Sequence, residues 1–147
     1  MGTIFSTDDI RGRVDDTLTT DYVWTAGKAL AEWLPEQGDI VVMRSEAANA
    51  AMVHAFTEGV LLQGRTVIEG GQGDSRLLRS IIRDTSAAGG AAISHDSLQN
   101  LEIITLLDSQ GVTLTTETGV AEIEQLIEAG NFVPASEKGL VVKRAEN

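Results

Sequence analysis

Residues 89–100 have the sequence GGAAISHDSLQN, in which a run of small and apolar residues breaks into a polar segment at Ser94. A short apolar run bounded by polar residues is typical of a strand that is buried on both faces of a sheet. Segments 39–43 (DIVVM) and 65–70 (RTVIEG) carry the same signal upstream. The stretch therefore predicts a third buried strand, and this strand ends at Ser94.

Apolar residues at helical spacing lie between and around these strands. The predicted helices cover residues 19–34, 49–64, 74–85 and 118–130. Further strand signals follow residue 100, at 102–108, at 111–115 and, within a weakly patterned tail over 131–147, at 140–142. The order β-α-β-α-β followed by β predicts a largely parallel sheet with helices on both faces, in one domain over residues 1–147.

Ligands of such sheets bind beyond the carboxyl ends of the strands. That rule predicts that segments 44–46, 70–73 and 94–96 lie at one rim of the sheet. Ser94 is then a nucleophile, a carrier of phosphate or an ordinary strand end. On an extended backbone the neighbouring His95 points to the opposite side, and no G-x-S-x-G turn is present, so a serine hydrolase is disfavoured.

The segment FSTDDIRGR, residues 5–13, places two arginines beside a glycine in a chain that has few basic residues. The guanidinium groups of Arg11 and Arg13 suit two-pronged binding of a phosphate. Equally, the carboxylates of Asp8 and Asp9 are positioned to pair with those arginines. The sequence leaves both alternatives open.

The composition limits the possible partners. The chain has 11 basic and 22 acidic residues, for a net charge of −11, so a nucleic acid or an anionic membrane is disfavoured as a partner. With no cysteine and two distant histidines, any metal is a hard ion held by oxygen ligands. His54 lies among apolar residues of a predicted helix and is expected to be a partly buried structural residue. No membrane span or signal peptide is indicated, and we expect a cytoplasmic protein.

The collinear segments FSTDDIRGR, LAEWL, DIVVMR, GGAAISHDS and TGVAEIEQLIEAGNFVPA resemble the first domain of the α-D-phosphohexomutases. That family includes phosphoglucomutase and phosphomannomutase. Its members open with F-G-T-x-G-I-R-G, carry a V-G-R-D-T-R turn, and present a phosphorylated serine in T-A-S-H-N-P. The likeness spans nearly the whole chain.

The resemblance implies a three-layer α/β/α fold around a mixed, mainly parallel sheet of four strands, with the last strand antiparallel. It implies that Ser94 carries the phosphoryl group and holds Mg²⁺ through a phosphate oxygen, with His95 and Arg11 beside it. Arg11, Arg13 and Arg44 are the expected phosphate-binding residues, and a hexose phosphate is the expected ligand.

The departures from the family pattern matter equally. Ser6 and Asp9 replace the two glycines that precede the arginine of the opening loop, and Ala47 replaces the second arginine of the arginine turn. Where the family has N-G-x-K, this chain has the residues of segment 101–104, LEII, so that Glu102 replaces the glycine and Ile104 the active-site lysine. Basic groups that assist phosphate handling are therefore missing.

The 147 residues correspond to the first domain of the family alone, and the metal loop, sugar-specificity loop and phosphate-grip domain of those enzymes are expected to be absent. We expect a domain that is inactive alone and works in phosphosugar or protein binding or regulation. A split enzyme, with a phosphorylated Ser94 and the other domains on a partner chain, is the alternative. A face left uncovered by the missing domains also predicts a homo-oligomer or a partner chain.

Overall fold

The structure is a computed structural model that describes residues 9–14 and 16–143. The predictions for Ser6 and Asp8 and for the last four residues of the tail fall outside the described residues. The described elements are β1 (Ile10–Gly12), α1 (Thr20–Trp33), β2 (Ile40–Arg44), α2 (Ala50–Leu62), β3 (Val67–Gln72), α3 (Ser75–Thr85), β4 (Gly89–Asp96), β5 (Leu101–Leu107), a π-helical turn (Thr116–Val120), α4 (Ala121–Ala129) and β6 (Val141–Lys143).

One mixed sheet of six strands has the order β1-β5-β4-β2-β3-β6. The strands β4, β2, β3 and β6 are mutually parallel, whereas β5 is antiparallel to both of its neighbours, β4 and β1. The central four strands are the sheet that the resemblance implied, with the antiparallel strand last in the chain. Because β1 is antiparallel to β5, its carboxyl end lies at the same edge of the sheet as those of β2, β3 and β4.

Helices cover both faces of this sheet, as expected for an α/β/α fold. The larger core joins α1, α2 and α4 to one face and contains Leu30, Phe56, Ile93 and Ile123. The smaller core joins α3 to the other face and includes Leu78 and Ile82 with Val41, Met43 and Ala92 of the sheet. Neighbouring residues of β4 therefore belong to different cores, Ala92 on the α3 face and Ile93 on the α1/α2 face.

The ends of the helices follow from local side-chain chemistry. The side chains of Thr19, Asn49 and Asp74 accept hydrogen bonds from backbone amides of the first turns of α1, α2 and α3. After α1, the buried guanidinium of Arg65 donates to four backbone carbonyls, those of Ala31, Leu34, Glu36 and Gly38. Burial lowers the pKa of this guanidinium, and nearby Glu32 and Glu36 act in the opposite direction. Arg65 therefore anchors the turn that leads into β2.

Three predictions need correction. The sheet has six strands rather than four, because the short segments Ile10–Gly12 and Val141–Lys143 add to its two edges. Segment 111–115 is not a strand, since only Thr113 forms a bridge, to Leu107. His54 is exposed rather than partly buried, because it lies on the outward side of α2.

Candidate functional site

The predicted rim exists at the carboxyl ends of β2, β3 and β4. The amide of Ser45 donates to the carbonyl of Ile93 at 2.9 Å, and the amide of Gly73 donates to the carbonyl of Arg44 at 2.8 Å. These two bonds join the three strand ends immediately before the chain leaves the sheet. Segments 44–46, 70–73 and 94–96 are therefore neighbours, as the strand order predicted.

Ser94 is the sixth residue of β4 and is half-buried. It lies opposite Ile103 of β5, and Ile103 lies opposite Arg11 of β1. Residues directly opposite one another in a sheet share a face, so Ser94 and Arg11 are both on the α3 face. Their backbones are two strand spacings, about 10 Å, apart. The structure thus brings the predicted phosphate carrier and the predicted arginine to one side of the rim.

Arg11 is engaged by a neighbouring carboxylate. Its Nε donates to Oδ1 of Asp9 at 2.7 Å, and its terminal nitrogen donates to Oδ2 at 2.7 Å. These hydrogen bonds raise the pKa of the Arg11 guanidinium above its ordinary value, and the charge of Asp96 acts in the same direction. Of the two alternatives that the sequence left open for Arg11, the structure contains the ion pair with Asp9. The two-pronged geometry is the one that a phosphate would need.

His95 lies on the opposite face of β4 from Ser94, as adjacent residues of a strand must. Its Nδ1 is 2.8 Å from Oε1 of Glu102, the residue directly opposite it on β5. The side chain of Glu102 is completely buried, and its Oε2 accepts a hydrogen bond of 2.5 Å from the backbone amide of Asn49. The buried carboxylate of Glu102, which also binds the start of α2, thus orients the His95 ring. The ring and the Ser94 side chain lie on opposite faces of the sheet.

The other predicted phosphate-binding residues lie at the rim but apart from Ser94. Arg13 follows the carboxyl end of β1 and is exposed, and Arg44 is the exposed last residue of β2. Arg44 shares the α1/α2 face with Val42, and it lines a cavity of about 450 Å³ with His54 and other residues. Within the described part of the chain, no ion pair involves Arg13 or Arg44.

The positions that depart from the family pattern hold no cation in this structure. Ala47 is exposed beyond the end of β2. Ile104 is fully buried between Ile93 and Ile10, on the face opposite Ser94, and contributes to the larger core. The side chain between Ser94 and Arg11 is that of Ile103. An apolar residue therefore occupies the place from which a cation would reach both.

The chain's own residues do not fit the Mg²⁺ ion that the resemblance implied. Among residues 9–14 and 16–143, no three histidine, aspartate or glutamate side chains come together in a group that would hold a metal. Asp96 shares the face of Ser94, two residues further along β4, and is a single carboxylate. Mg²⁺ binding remains a prediction that depends on a phosphate at Ser94 and on ligands from elsewhere.

Comparison with known proteins agrees with this architecture. Residues 2–134 match the family model described as phosphoglucomutase/phosphomannomutase, alpha/beta/alpha domain I. The chain belongs to this family. A probable phosphoglucosamine mutase of Thermococcus gammatolerans is 30% identical over 150 residues, which cover 99% of this chain and 33% of that protein. A phosphomannomutase of Salmonella typhimurium is 25% identical over 92% of this chain and 30% of its own length.

The solved structures support the same fold. A putative phosphomannomutase from Thermus thermophilus superimposes with a TM-score of 0.77 at 21% identity, over 98% of this chain and 34% of that one. Among the relatives found by sequence, a phosphoglucosamine mutase of Prochlorococcus marinus is 35% identical over 61% of this chain and 19% of its own length. The chain therefore spans between about a fifth and a third of the length of these phosphohexomutase relatives. None of its described helices is long and apolar enough to cross a membrane.

The sequence does not predict the contact of Glu102, and it offers the contact of Asp9 as only one of two alternatives. The contact between Glu102 and His95 depends on the register of β4 and β5, which the sequence does not fix. The pairing of Asp9 with Arg11 is one of two alternatives that the sequence leaves open, the other being phosphate binding by Arg11. Both carboxylates occupy positions where the phosphohexomutase pattern has glycine, and that departure was the signal that something replaces the family's arrangement there.

Proposed function

We propose that these 147 residues form a phosphohexomutase first domain that does not interconvert hexose phosphates by itself and acts by binding or regulation in carbohydrate metabolism. Its ligand is a phosphosugar or a partner chain. The observation that carries this proposal is the two-pronged ion pair between Arg11 and Asp9. A phosphate that binds the same Nε and terminal-nitrogen edge of the guanidinium has to displace Asp9, and the carboxylate neutralises the charge that attracts a phosphate to the remaining N–H donors.

Charge at the rim favours the same conclusion. On the α3 face, Arg11 is accompanied by the carboxylates of Asp9 and Asp96, and Ile103 lies between Arg11 and Ser94. Phosphoryl transfer depends mainly on positioning and on neutralising the charge of the transferred group. A phosphate on Ser94 would add negative charge where the acidic groups already outnumber the arginine.

The test is an assay for turnover by the purified chain. With Mg²⁺, a hexose 1-phosphate and a hexose 1,6-bisphosphate activator, we expect the rate to lie at least about 10³-fold below that of a full-length relative, because loss of even one group that stabilises the transition state costs about 10² to 10³. A full-length phosphomannomutase assayed in parallel is the control. Turnover by the chain alone at a comparable rate would overturn the proposal.

A second function is favoured by the register that places Ser94 and Arg11 on one face. In this alternative the domain is the phosphoserine-carrying part of a split phosphohexomutase. The exposed apolar side chains of Leu140, Val141 and Val142, at an edge of the described sheet, are suited to contact with another chain.

The alternative predicts that Ser94 accepts a phosphoryl group. After incubation with a hexose 1,6-bisphosphate, Mg²⁺ and a chain that carries the remaining domains, mass spectrometry should show one added phosphate. The Ser94→Ala variant should show none, and Ser97→Ala, which alters an exposed serine of the same loop, should keep the modification. An unmodified Ser94 under these conditions would exclude the split-enzyme alternative, and binding or regulation would be the remaining function.

A further inference from the structure

Glu102 is a fully buried carboxylate with two hydrogen-bond partners. Oε1 is 2.8 Å from Nδ1 of His95, and Oε2 accepts from the amide of Asn49, the residue that caps the start of α2. A buried carboxylate is costly unless both of its oxygens are satisfied, and here both are. The start of a helix also carries partial positive charge, which stabilises an anion at this place.

The position of the shared proton follows from the chemistry of the two groups. An amide N–H can only donate, so Oε2 must be an acceptor. The remaining proton lies between Oε1 and Nδ1, and it resides on the imidazole because the amide of Asn49 and the positive end of α2 stabilise Glu102 as the anion. With Nδ1 protonated, Nε2 of a neutral ring is the only nitrogen that can accept a hydrogen bond or a proton.

We propose that Glu102 is a positioning residue that fixes His95 in the tautomer with Nδ1 protonated and Nε2 as acceptor. His95 is then a preoriented acceptor at the rim of the sheet, one residue from Ser94. Its use toward a phosphorylated ligand rests on the proposed function, whereas the tautomer itself does not. The side chain of His95 is 20% exposed, so the ring is held from inside and remains accessible from solvent.

The Glu102→Gln variant gives a sharp test because it keeps the shape and reverses one hydrogen bond. The amide of Asn49 still requires an acceptor, so the side-chain oxygen of the glutamine takes that place and its NH₂ group faces Nδ1. Nδ1 must then accept, and the proton of the neutral ring moves to Nε2. A role limited to filling space would leave the tautomer unchanged.

The experiment is a long-range ¹H–¹⁵N correlation spectrum of the imidazole rings of the full chain, at a pH high enough for both rings to be neutral. We expect His95 to be protonated at Nδ1 in the natural chain and at Nε2 in Glu102→Gln. His54 is exposed on α2 and serves as the internal reference, with the same spectrum in both proteins. The His54→Gln variant assigns the signals.

Either of two results would overturn the inference. One is a natural chain in which neutral His95 carries its proton on Nε2, and this result needs no variant. The other is a folded Glu102→Gln chain, judged by an unchanged amide spectrum outside the rim, in which the His95 tautomer is unaltered. Neither result bears on hexose phosphate turnover, so failure here is separate from failure of the proposed function.

Discussion

Replacing Asp9 with glycine is expected to raise the affinity of the rim for inorganic phosphate by about tenfold, which corresponds to about 1.4 kcal/mol. In the natural chain Nε and one terminal nitrogen of Arg11 donate to Asp9, so a phosphate that approaches this edge of the guanidinium has to compete with an internal carboxylate. Hydrogen bonds to charged groups contribute about 1.5 to 3 kcal/mol. The lower end applies because the Arg11 side chain is 34% exposed and solvent screens the pair.

The measurement is a titration of the ¹⁵N-labelled chain with inorganic phosphate, followed through amide shifts of β1 and β4. Asp16→Gly is the matched control, since it removes one negative charge from an exposed turn near Arg11 without a side-chain contact to it. The double variant Asp9→Gly with Arg11→Ala should not show the increase in phosphate affinity. If the natural chain binds phosphate as tightly as Asp9→Gly does, Asp9 is not a competitor and the main argument for a non-catalytic domain fails.

Substitution of Asp9 also connects the proposed function with its alternative. If Asp9→Gly restores phosphate binding but Ser94 remains unmodified with a partner present, the domain is a binding module whose anion site is blocked from within. If Ser94 is phosphorylated in the natural chain, the ion pair must open during transfer. We expect the first outcome, because Ile103 separates Ser94 from the only arginine on its face among the described β-strands.

The sequence predicted most of the fold because its signals are local. The starts of α1 and α3 were set within a residue by Thr19 and Asp74, whose side chains cap their helices. The buried strands stood out as apolar runs between polar segments. By contrast, β1 has three residues, too few for a periodic pattern, and it exists because Ile10 and Gly12 pair with β5. Edge strands of this kind depend on tertiary contacts.

The site was predictable up to the point where strand register decides contacts. Chain order alone placed Ser94 at the rim near the strand ends that include Arg44. It did not place Arg44 on the face opposite Ser94, nor Glu102 against His95. A shift of one residue between β4 and β5 would move Glu102 to the other face of the sheet and break its contact with His95. The pattern of polar and apolar residues distinguishes two registers only where the same side chains are buried in one register and exposed in the other.

The second large effect concerns the contact between α1 and α2. Gly27 and Gly59 meet reciprocally there: a Cβ on Gly27 would overlap the backbone carbonyl oxygen of Phe56, and one on Gly59 would overlap that of Trp24. Alanine normally stabilises a helix by about 1 kcal/mol relative to glycine. Here the added methyl group meets backbone that cannot rotate away, so the helices must separate.

Gly59→Ala is therefore expected to lower the free energy of unfolding by about 3 kcal/mol, the upper range for overpacking of a well-packed core. For a domain of this size, that loss lowers Tm by about 6 to 12 °C. Thermal and urea unfolding followed by circular dichroism measure it. Ala51→Gly, at an exposed position of the same helix, is the control and should cost only about 1 kcal/mol. A Gly59→Ala chain as stable as the natural one would mean that α1 and α2 are farther apart than described.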